Sequence, residues 1–261
     1  QAMRWGFGMK QGPFELWQEA GWLEVAKMIQ EDIDAGKALC KAPLPDWVFK
    51  GPVADAGGVH TPAGSWNPTT GKFAPVRQLP VYERQHFPES VLGANAPKAE
   101  TAGKTVFEDE SIRLWTLDDH VLIASIKTKM HAIGGGVIEG LLQAQELAEK
   151  EYQGLVVWSP DEMFSAGADL QGMMPAFIMG GAKAIEGAEA ELQNAMLKLR
   201  YSNVPVISAI RGLALGGGCE LAVYSSKRVA AMESYIGLVE VGVGLVPGAG
   251  GLTYIARRAA E

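Results

Sequence analysis

The chain has 261 residues, of which 48% are hydrophobic and 20% charged, and its net charge is −7. This composition is typical of a soluble globular protein, and the acidic balance argues against a general role in nucleic-acid or membrane-surface binding. Its two cysteines, Cys40 and Cys219, are far apart and give no disulfide or metal pattern, so we expect a reducing, cytoplasmic compartment. We find no apolar stretch of membrane-spanning length and no signal peptide.

The first forty residues predict two short helices. Pro13 suits the first turn of a helix, and Phe14, Trp17 and Ala20 follow it at helical spacing. A second helical pattern covers residues 23–38. Two helices of this size cannot fold alone. We therefore interpret residues 1–40 as a cap on the main domain or as the remnant of another domain.

Residues 41–103 contain most of the 14 prolines of the chain and show little helical periodicity. Within them, residues 57–66 and 72–76 flank Asn67-Pro-Thr-Thr-Gly71, which predicts a short hairpin with a turn. We interpret the segment as a partly ordered interdomain linker that contains this hairpin.

Strand and helix patterns alternate from residue 104 to the end of the chain. The strand-like runs cover residues 106–110, 112–117, 121–126, 155–158 and 204–210, and the helical patterns cover residues 137–150 and 182–199. This alternation predicts an α/β domain with parallel strands. In such a domain the ligand lies at the carboxyl ends of the strands, where two glycine-containing loops of this chain fall.

The first of these loops contains Ser165-Ala-Gly-Ala168, and the second is Gly212-Leu-Ala-Leu-Gly-Gly-Gly-Cys-Glu220. The second joins an apolar strand to a helix, so backbone N–H groups at the helix start can face an incoming oxygen. One N–H group from each loop would form an oxyanion hole for a carbonyl oxygen. The alternative is a glycine turn packed against a neighbouring strand, with Glu220 as a charge at a helix start.

Glu240 follows Glu220 by 20 residues, enough for a helix and a strand that return it to the same cleft. Two carboxylates in one cleft can divide acid and base roles, because their repulsion raises the pKa of one of them. Behind them, Val246-Pro-Gly-Ala-Gly-Gly251 opens another helix. The alternative for Glu240 is a solvated charge at a strand end.

These motifs, in this order and at these intervals, make residues 104–261 resemble the crotonase (enoyl-CoA hydratase/isomerase) superfamily. The resemblance implies a crotonase-like α/β fold, built of ββα repeats with a spiral of parallel strands and helices. It implies an oxyanion hole from the N–H groups of Ala168 and Gly217. It also implies that Glu220 activates water for attack on C3 of a trans-2-enoyl thioester while Glu240 supplies a proton to C2.

Substrate contacts are expected from two further groups of residues. The motifs imply contacts from Ala166, Gly167, Asp169, Leu170, Gly216 and Gly248. Position 171 is Gln where relatives often have Lys, so we expect Lys127 and Lys129 to contact phosphate instead, with ordinary surface lysines as the alternative.

Residues 4–22 resemble the end of a 3-hydroxyacyl-CoA dehydrogenase C-terminal domain, through Gly6-Phe-Gly8 and Gly12-Pro-Phe-Glu15. A dehydrogenase tail, a linker and a crotonase domain in that order resemble the middle of a bifunctional fatty-acid β-oxidation protein. No Gly-x-Gly-x-x-Gly follows a strand, so NAD is expected only for a dehydrogenase domain absent from this chain. Crotonase domains continue past the helix at residue 251, so we also expect a C-terminal truncation.

The function that the resemblance implies is hydration of an enoyl-CoA, with coenzyme A as part of the substrate and no cofactor in this fragment. The four histidines have no spacing that suggests a metal. We expect an acyl-CoA substrate and no nucleic-acid or membrane partner. The sequence is compatible with a homo-oligomer. Two alternatives stay open, a Δ3-Δ2-enoyl-CoA isomerase and a non-catalytic acyl-CoA-binding module.

Overall fold

The computed structural model describes residues 2–75, 79–87 and 99–261. The chain divides into two compact units, residues 1–99 and residues 100–261. The first unit has five α-helices, one short 3₁₀ helix (Asp46–Val48) and three strands within its described residues. The α-helices and strands are α1 (Ala2–Phe7), α2 (Pro13–Glu19), α3 (Trp22–Asp34), α4 (Pro52–Ala56), β1 (His60–Thr61), β2 (Gly64–Asn67), β3 (Lys72–Ala74) and α5 (Pro80–Glu83).

Aromatic side chains form the core of the first unit. The rings of Trp17 and Trp22 stack with their centroids 4.3 Å apart. The indole N–H of Trp22 donates a 2.9 Å hydrogen bond to the Val48 carbonyl, so this buried polar atom is satisfied. Around this pair pack Ala26, Val48, Val53, Val59, Leu44, Trp47, Phe49, Trp66 and Phe73.

The structure differs from the predicted division at residue 40. Val48, Val53 and Val59, all in the predicted linker, are buried against Trp22 and Ala26 of α3. The physical reason is that helices α2 and α3 are too short to bury their own apolar faces, so residues from the following segment pack against them. The predicted hairpin is present as the antiparallel pair β2 and β3, with β1 added to it. Residues 76–78 and 88–98 of the predicted linker lie outside the described residues.

The second unit holds the alternating strands and helices. Its strands are β4 (Lys104–Glu108), β5 (Ile112–Thr116), β6 (Val121–Ile126), β7 (Gly154–Val157), β8 (Met163–Ser165), β9 (Val206–Ile210), β10 (Leu213–Leu215), β11 (Lys227–Ala230) and β12 (Tyr235–Gly237). Its helices are α6 (Gly135–Glu151), α7 (Leu170–Gly180), α8 (Ala182–Arg200), α9 (Gly217–Tyr224) and α10 (Gly251–Ala260).

Two sheets organise this unit. The larger has the order β11-β9-β7-β6-β5-β4, and its strands are parallel from β6 to β11 and antiparallel from β4 to β6. The smaller sheet has the order β12-β10-β8 and is parallel throughout. Because β8 and β10 are parallel neighbours, the loops that follow them leave the same edge of the sheet.

The core of the second unit lies between the larger sheet and helices α6, α8 and α9. Leu122 and Leu155 of the sheet, Leu141 of α6 and Leu199 of α8 are fully buried in it. The apolar residues of α6 recur at helical spacing, which places one face of this helix on the sheet.

Three elements near the smaller sheet were not predicted. Strands β8 and β10 have only three residues each, so they carry too little periodicity to be recognised. Helix α7 contains Pro175 and two glycines, which disfavour a helix. Its start is fixed by Asp169, whose carboxylate accepts a hydrogen bond from the Gly172 N–H at 3.0 Å.

Among the described residues, no helix has both the length and the apolar composition needed to cross a membrane.

Close packing of α6 on β5 gives a prediction for two glycines in helices. A Cβ at Gly140 would collide with the Cγ2 of buried Ile112, whereas a Cβ at Gly187 of α8 would meet nothing. We expect Gly140→Ala to lower the free energy of unfolding by about 1–3 kcal/mol through overpacking. The matched Gly187→Ala should raise it by about 0.5–1 kcal/mol, because alanine loses less backbone entropy than glycine. Urea unfolding followed by circular dichroism measures both, and equal midpoints for the two variants would contradict the packing.

Candidate active site

Two loops meet at the carboxyl edge of the smaller sheet. The loop after β8 contains Gly167, and the loop after β10 contains Gly216. A Cβ built at Gly167, whose φ is +103°, would lie 2.7 Å from the Leu215 carbonyl oxygen and 3.1 Å from the Gly217 nitrogen. Because no side chain fits between the loops, their backbones approach each other directly.

This approach brings the N–H groups of Ala168 and Gly217 close together. A Cβ at Gly217 would lie 3.3 Å from the Ala168 nitrogen. Gly217 is the first residue of α9, so its N–H has no acceptor within the helix. Within the part of the chain that the structure describes, neither N–H donates a hydrogen bond. Two such donors can bind one oxygen atom that carries developing negative charge.

Two cavities flank the loop after β8, and both are lined by Ala166, Ala168 and Leu170. The smaller has a volume of about 150 Å³ and contains Glu220 and Glu240 in its wall. The larger has a volume of about 550 Å³ and is lined further by Ser111, Thr128, Lys129, Met130, Ala132, Gly134, Gly135, Gly136, Val137, Asp169 and Gln171.

Glu220 lies in the first turn of α9, as the sequence predicted, and is only 2% exposed. Its Oε1 accepts a 2.8 Å hydrogen bond from the Gly251 N–H, at the start of α10. Burial raises the pKa of Glu220, and the negative charges of Glu240 and Glu189 raise it further, while the hydrogen bond from Gly251 lowers it. The side chain is therefore held in place and binds a proton more tightly than an exposed glutamate.

Glu240 reaches the same cavity from a different element. It begins the short 3₁₀ helix Glu240–Val243, which follows β12. A Cβ at Gly216 would lie 3.0 Å from its Oε1, so the carboxylate rests against the loop that carries the Gly217 N–H. Its Oε2 is buried and has no hydrogen-bond partner among the described residues.

A third carboxyl group, that of Glu189 on α8, also lines the smaller cavity. Its Oε2 is buried without a hydrogen-bond partner in the described residues, and it lies against Gly248. Burial raises the pKa of Glu189, and the charge of Glu240 raises it further. The sequence analysis missed this residue. Along α8 it is one of several glutamates, and only the approach of residue 248 distinguishes it.

The other predicted contact residues divide between the two cavities. Gly167, Gly216 and Gly248 line the smaller one, Asp169 lines the larger one, and Ala166 and Leu170 line both. Asp169 has the additional structural role of capping α7.

The two predicted lysines have different environments. Lys129 lines the larger cavity. The ammonium of Lys127 pairs with Glu108 at 2.7 Å and donates a hydrogen bond to the Asp109 carbonyl. Lys127 is absent from the walls of both cavities. The structure thus brings only one of the pair to the candidate site.

Metal chemistry has no ready site in the described part of the chain. There, no cluster of three or more histidine, cysteine or acidic side chains could hold a metal ion. Cys219 lies beside Glu220, and burial raises the pKa of its thiol to about 11. It is therefore not a thiolate at neutral pH.

The sequence of the chain is similar to a known protein family and to known proteins. The model of a family described as enoyl-CoA hydratase/isomerase matches residues 121–261. A probable 3-hydroxyacyl-CoA dehydrogenase of Bacillus subtilis is 30% identical over 255 residues, which are 96% of this chain and 30% of that protein. A putative fatty acid oxidation complex trifunctional enzyme of Rickettsia felis is 41% identical over 148 residues, 57% of this chain and 20% of that protein.

The solved structures give the same result for the fold. The crystal structure of an enoyl-CoA hydratase from Bacillus anthracis superimposes with a TM-score of 0.52 and 26% sequence identity. The superposition covers 56% of this chain and 57% of the other. The chain therefore spans less than a third of the two curated relatives and somewhat more than half of this solved structure.

The unpartnered carboxyl of Glu189 gives a prediction about pH. Its pKa is raised above the ordinary 4.5, so the folded chain binds this proton more tightly than the unfolded chain does. Below pH 4.5 the group is neutral in both states. As the pH rises through that value and through the raised pKa, the folded state loses stability. We expect Glu189→Gln, which is always neutral, to become progressively more stable than the wild type over this range.

Thermal unfolding between pH 4 and pH 8 measures this effect. Glu186→Gln is the matched control, because Glu186 is exposed on the same helix. Its stability difference from the wild type should not vary with pH. A constant difference for Glu189→Gln as well would contradict the burial of its carboxyl group.

Proposed function

The chain belongs to the enoyl-CoA hydratase/isomerase family, and on that premise we propose that it hydrates trans-2-enoyl-CoA thioesters to 3-hydroxyacyl-CoA. One observation carries the proposal. Two unpartnered N–H groups, of Ala168 and Gly217, meet the carboxyl groups of Glu220 and Glu240 at one small cavity. These are the groups that addition of water to a conjugated thioester requires.

In the proposed reaction, the thioester carbonyl oxygen accepts hydrogen bonds from the Ala168 and Gly217 N–H groups. Attack on C3 moves an electron pair toward that oxygen and makes an enolate. The backbone already holds these donors in place, so they stabilise the charge without reorganising. Such preorganisation is usually the largest contribution to the rate enhancement.

In the proposed reaction the two glutamates accept and donate the protons. Ionised Glu220 takes a proton from water as the C3–O bond forms, and protonated Glu240 gives its proton to C2. Transfer of a proton from Glu220 back to Glu240 then restores the starting state, so the net change is addition of one water. Once it is ionised, Glu220 is a stronger base than an exposed glutamate, because burial raises its pKa.

The larger cavity is the proposed place for the coenzyme A part of the substrate. Its volume of about 550 Å³ suits an extended, polar ligand, and Lys129 provides a positive charge in a chain whose net charge is −7. Coenzyme A carries phosphates, so this lysine is the proposed phosphate contact. No other cofactor is needed for the proposed reaction.

The relatives support a place for this activity in a longer protein. The Bacillus subtilis relative is named as a dehydrogenase acting on 3-hydroxyacyl-CoA, and its match covers 96% of this chain. A 3-hydroxyacyl-CoA is the product of the proposed hydration. We therefore propose that the chain is part of a multifunctional enzyme of fatty-acid β-oxidation, in which a separate dehydrogenase domain uses NAD.

Loss of the enoyl-thioester absorbance with crotonyl-CoA tests the proposal. We expect turnover by the wild type and a reduction in kcat of about 10²- to 10⁴-fold in Glu220→Gln and in Glu240→Gln, the usual contribution of acid–base catalysis. Glu233→Gln is the matched control, because Glu233 is exposed and lies outside both cavities. It should retain wild-type kcat.

Other outcomes identify other functions. Conversion of a 3-enoyl-CoA to the conjugated 2-enoyl-CoA without hydration would replace the hydratase by an isomerase. Binding of crotonyl-CoA without any turnover would indicate a binding module. Wild-type turnover that is unchanged in both glutamate variants would reject the assignment of these residues.

A further inference from the structure

A short segment braces the loop that carries the Ala168 N–H group. This segment, residues 130–133, follows β6 and precedes α6. Four hydrogen bonds join it to the end of β8 and to the loop: Ala166 N–H to the Met130 carbonyl (3.0 Å), Ser165 Oγ–H to the His131 carbonyl (2.7 Å), Ile133 N–H to the Gly167 carbonyl (2.8 Å) and Asp169 N–H to the Ile133 carbonyl (3.0 Å). The position of Ala168 therefore depends on the position of this segment.

The bracing segment has an unfavourable backbone conformation. Met130 and His131 have φ values of +57° and +50°, in the left-handed region that residues other than glycine rarely adopt. Such a conformation persists only where surrounding contacts enforce it. Met130 is 56% exposed, whereas His131 is buried. The side chain of His131 and the backbone hydrogen bonds of the segment can therefore hold this conformation.

The ring of His131 makes three close polar contacts. The residue is 4% exposed. Its Nδ1 lies 2.8 Å from the Met163 carbonyl oxygen and 3.2 Å from that of Phe164, and its Nε2 lies 2.9 Å from Oδ2 of Asp161. A carbonyl oxygen only accepts hydrogen bonds, so Nδ1 is the donor to the Met163 carbonyl.

We propose that His131 is a positioning residue, which fixes the loop after β8 and thereby the direction of the Ala168 N–H group. The ring ties the bracing segment to β8, the strand from which the loop leaves. Its effect on turnover rests on the proposed function, but its effect on the loop does not.

The two ring nitrogens are not expected to contribute equally. Nδ1 lies between the carbonyl oxygens of Met163 and of buried Phe164, whereas the side chain of Asp161 is 67% exposed and accessible to water. A side chain with a donor near the position of Nδ1 should therefore preserve most of the function. Asparagine has such a donor and also tolerates the left-handed backbone.

The test compares His131→Gly with His131→Asn. Glycine accepts the left-handed backbone without strain but has no donor, so the pair isolates the hydrogen bond from the backbone preference. Hydrogen–deuterium exchange of the peptide covering residues 164–170 reports on the loop without substrate. We expect exchange at least ten times faster in His131→Gly and within about threefold of the wild type in His131→Asn.

Turnover of crotonyl-CoA gives the second readout. In His131→Gly we expect kcat to fall by roughly 10- to 100-fold, since small displacements of a catalytic group have effects of that size. KM should change little, because the N–H acts mainly on charge that develops in the transition state. His120→Gln, a change at an exposed histidine, should match the wild type in both measurements.

The possible failures are distinguishable. Wild-type exchange in the loop of His131→Gly would overturn the inference, whatever the turnover. An inactive wild type whose loop exchange still responds as expected would reject the proposed function and support the positioning role. Should His131→Gly not fold, as judged by circular dichroism, the comparison of His131→Gln with His131→Asn replaces it, because the glutamine donor lies near Nε2 instead of Nδ1.

Discussion

Direct backbone contact between the loops after β8 and β10 is the constraint on which the rest of the site depends. A Cβ at Gly218 would lie 2.7 Å from the Ser165 carbonyl oxygen, and one at Gly167 would lie equally close to that of Leu215. The parallel pairing of β8 with β10 brings the two loops to the same edge. Glycine then allows them to touch, so that the backbone nitrogens of Ala168 and Gly217 lie close together.

The carboxyl groups depend on a second kind of constraint, which is burial. Glu220, Glu240 and Glu189 come from α9, a 3₁₀ helix and α8, and they share a cavity of about 150 Å³. The negative charge of Glu240 raises the pKa of both Glu189 and Glu220. Water cannot screen these charges fully, so the cavity favours states in which at least one carboxyl group holds a proton.

Local patterns in the sequence predicted the parts of the site that depend on local structure. The glycine loops, the helix that begins at Gly217 and the buried strands were predicted, and comparison with solved structures confirms the crotonase-like α/β fold. The role of Glu189 depends on packing against residue 248, far along the chain, so no local pattern could reveal it. For Lys127 the sequence suggested a free charge that could bind phosphate. In the structure its ammonium group instead forms an ion pair with Glu108.

The two constraints differ in how substitution can alter them, and this difference bears on the chemistry of the site. The Ala168 and Gly217 donors belong to the backbone, so most side-chain changes leave them in place and only changes in the loops or in the bracing segment move them. Each carboxyl group, in contrast, can be lost by a single substitution. Under the proposed function, thioester binding therefore follows from the fold, whereas the fate of the enolate follows from which carboxyl groups are present and which of them is protonated.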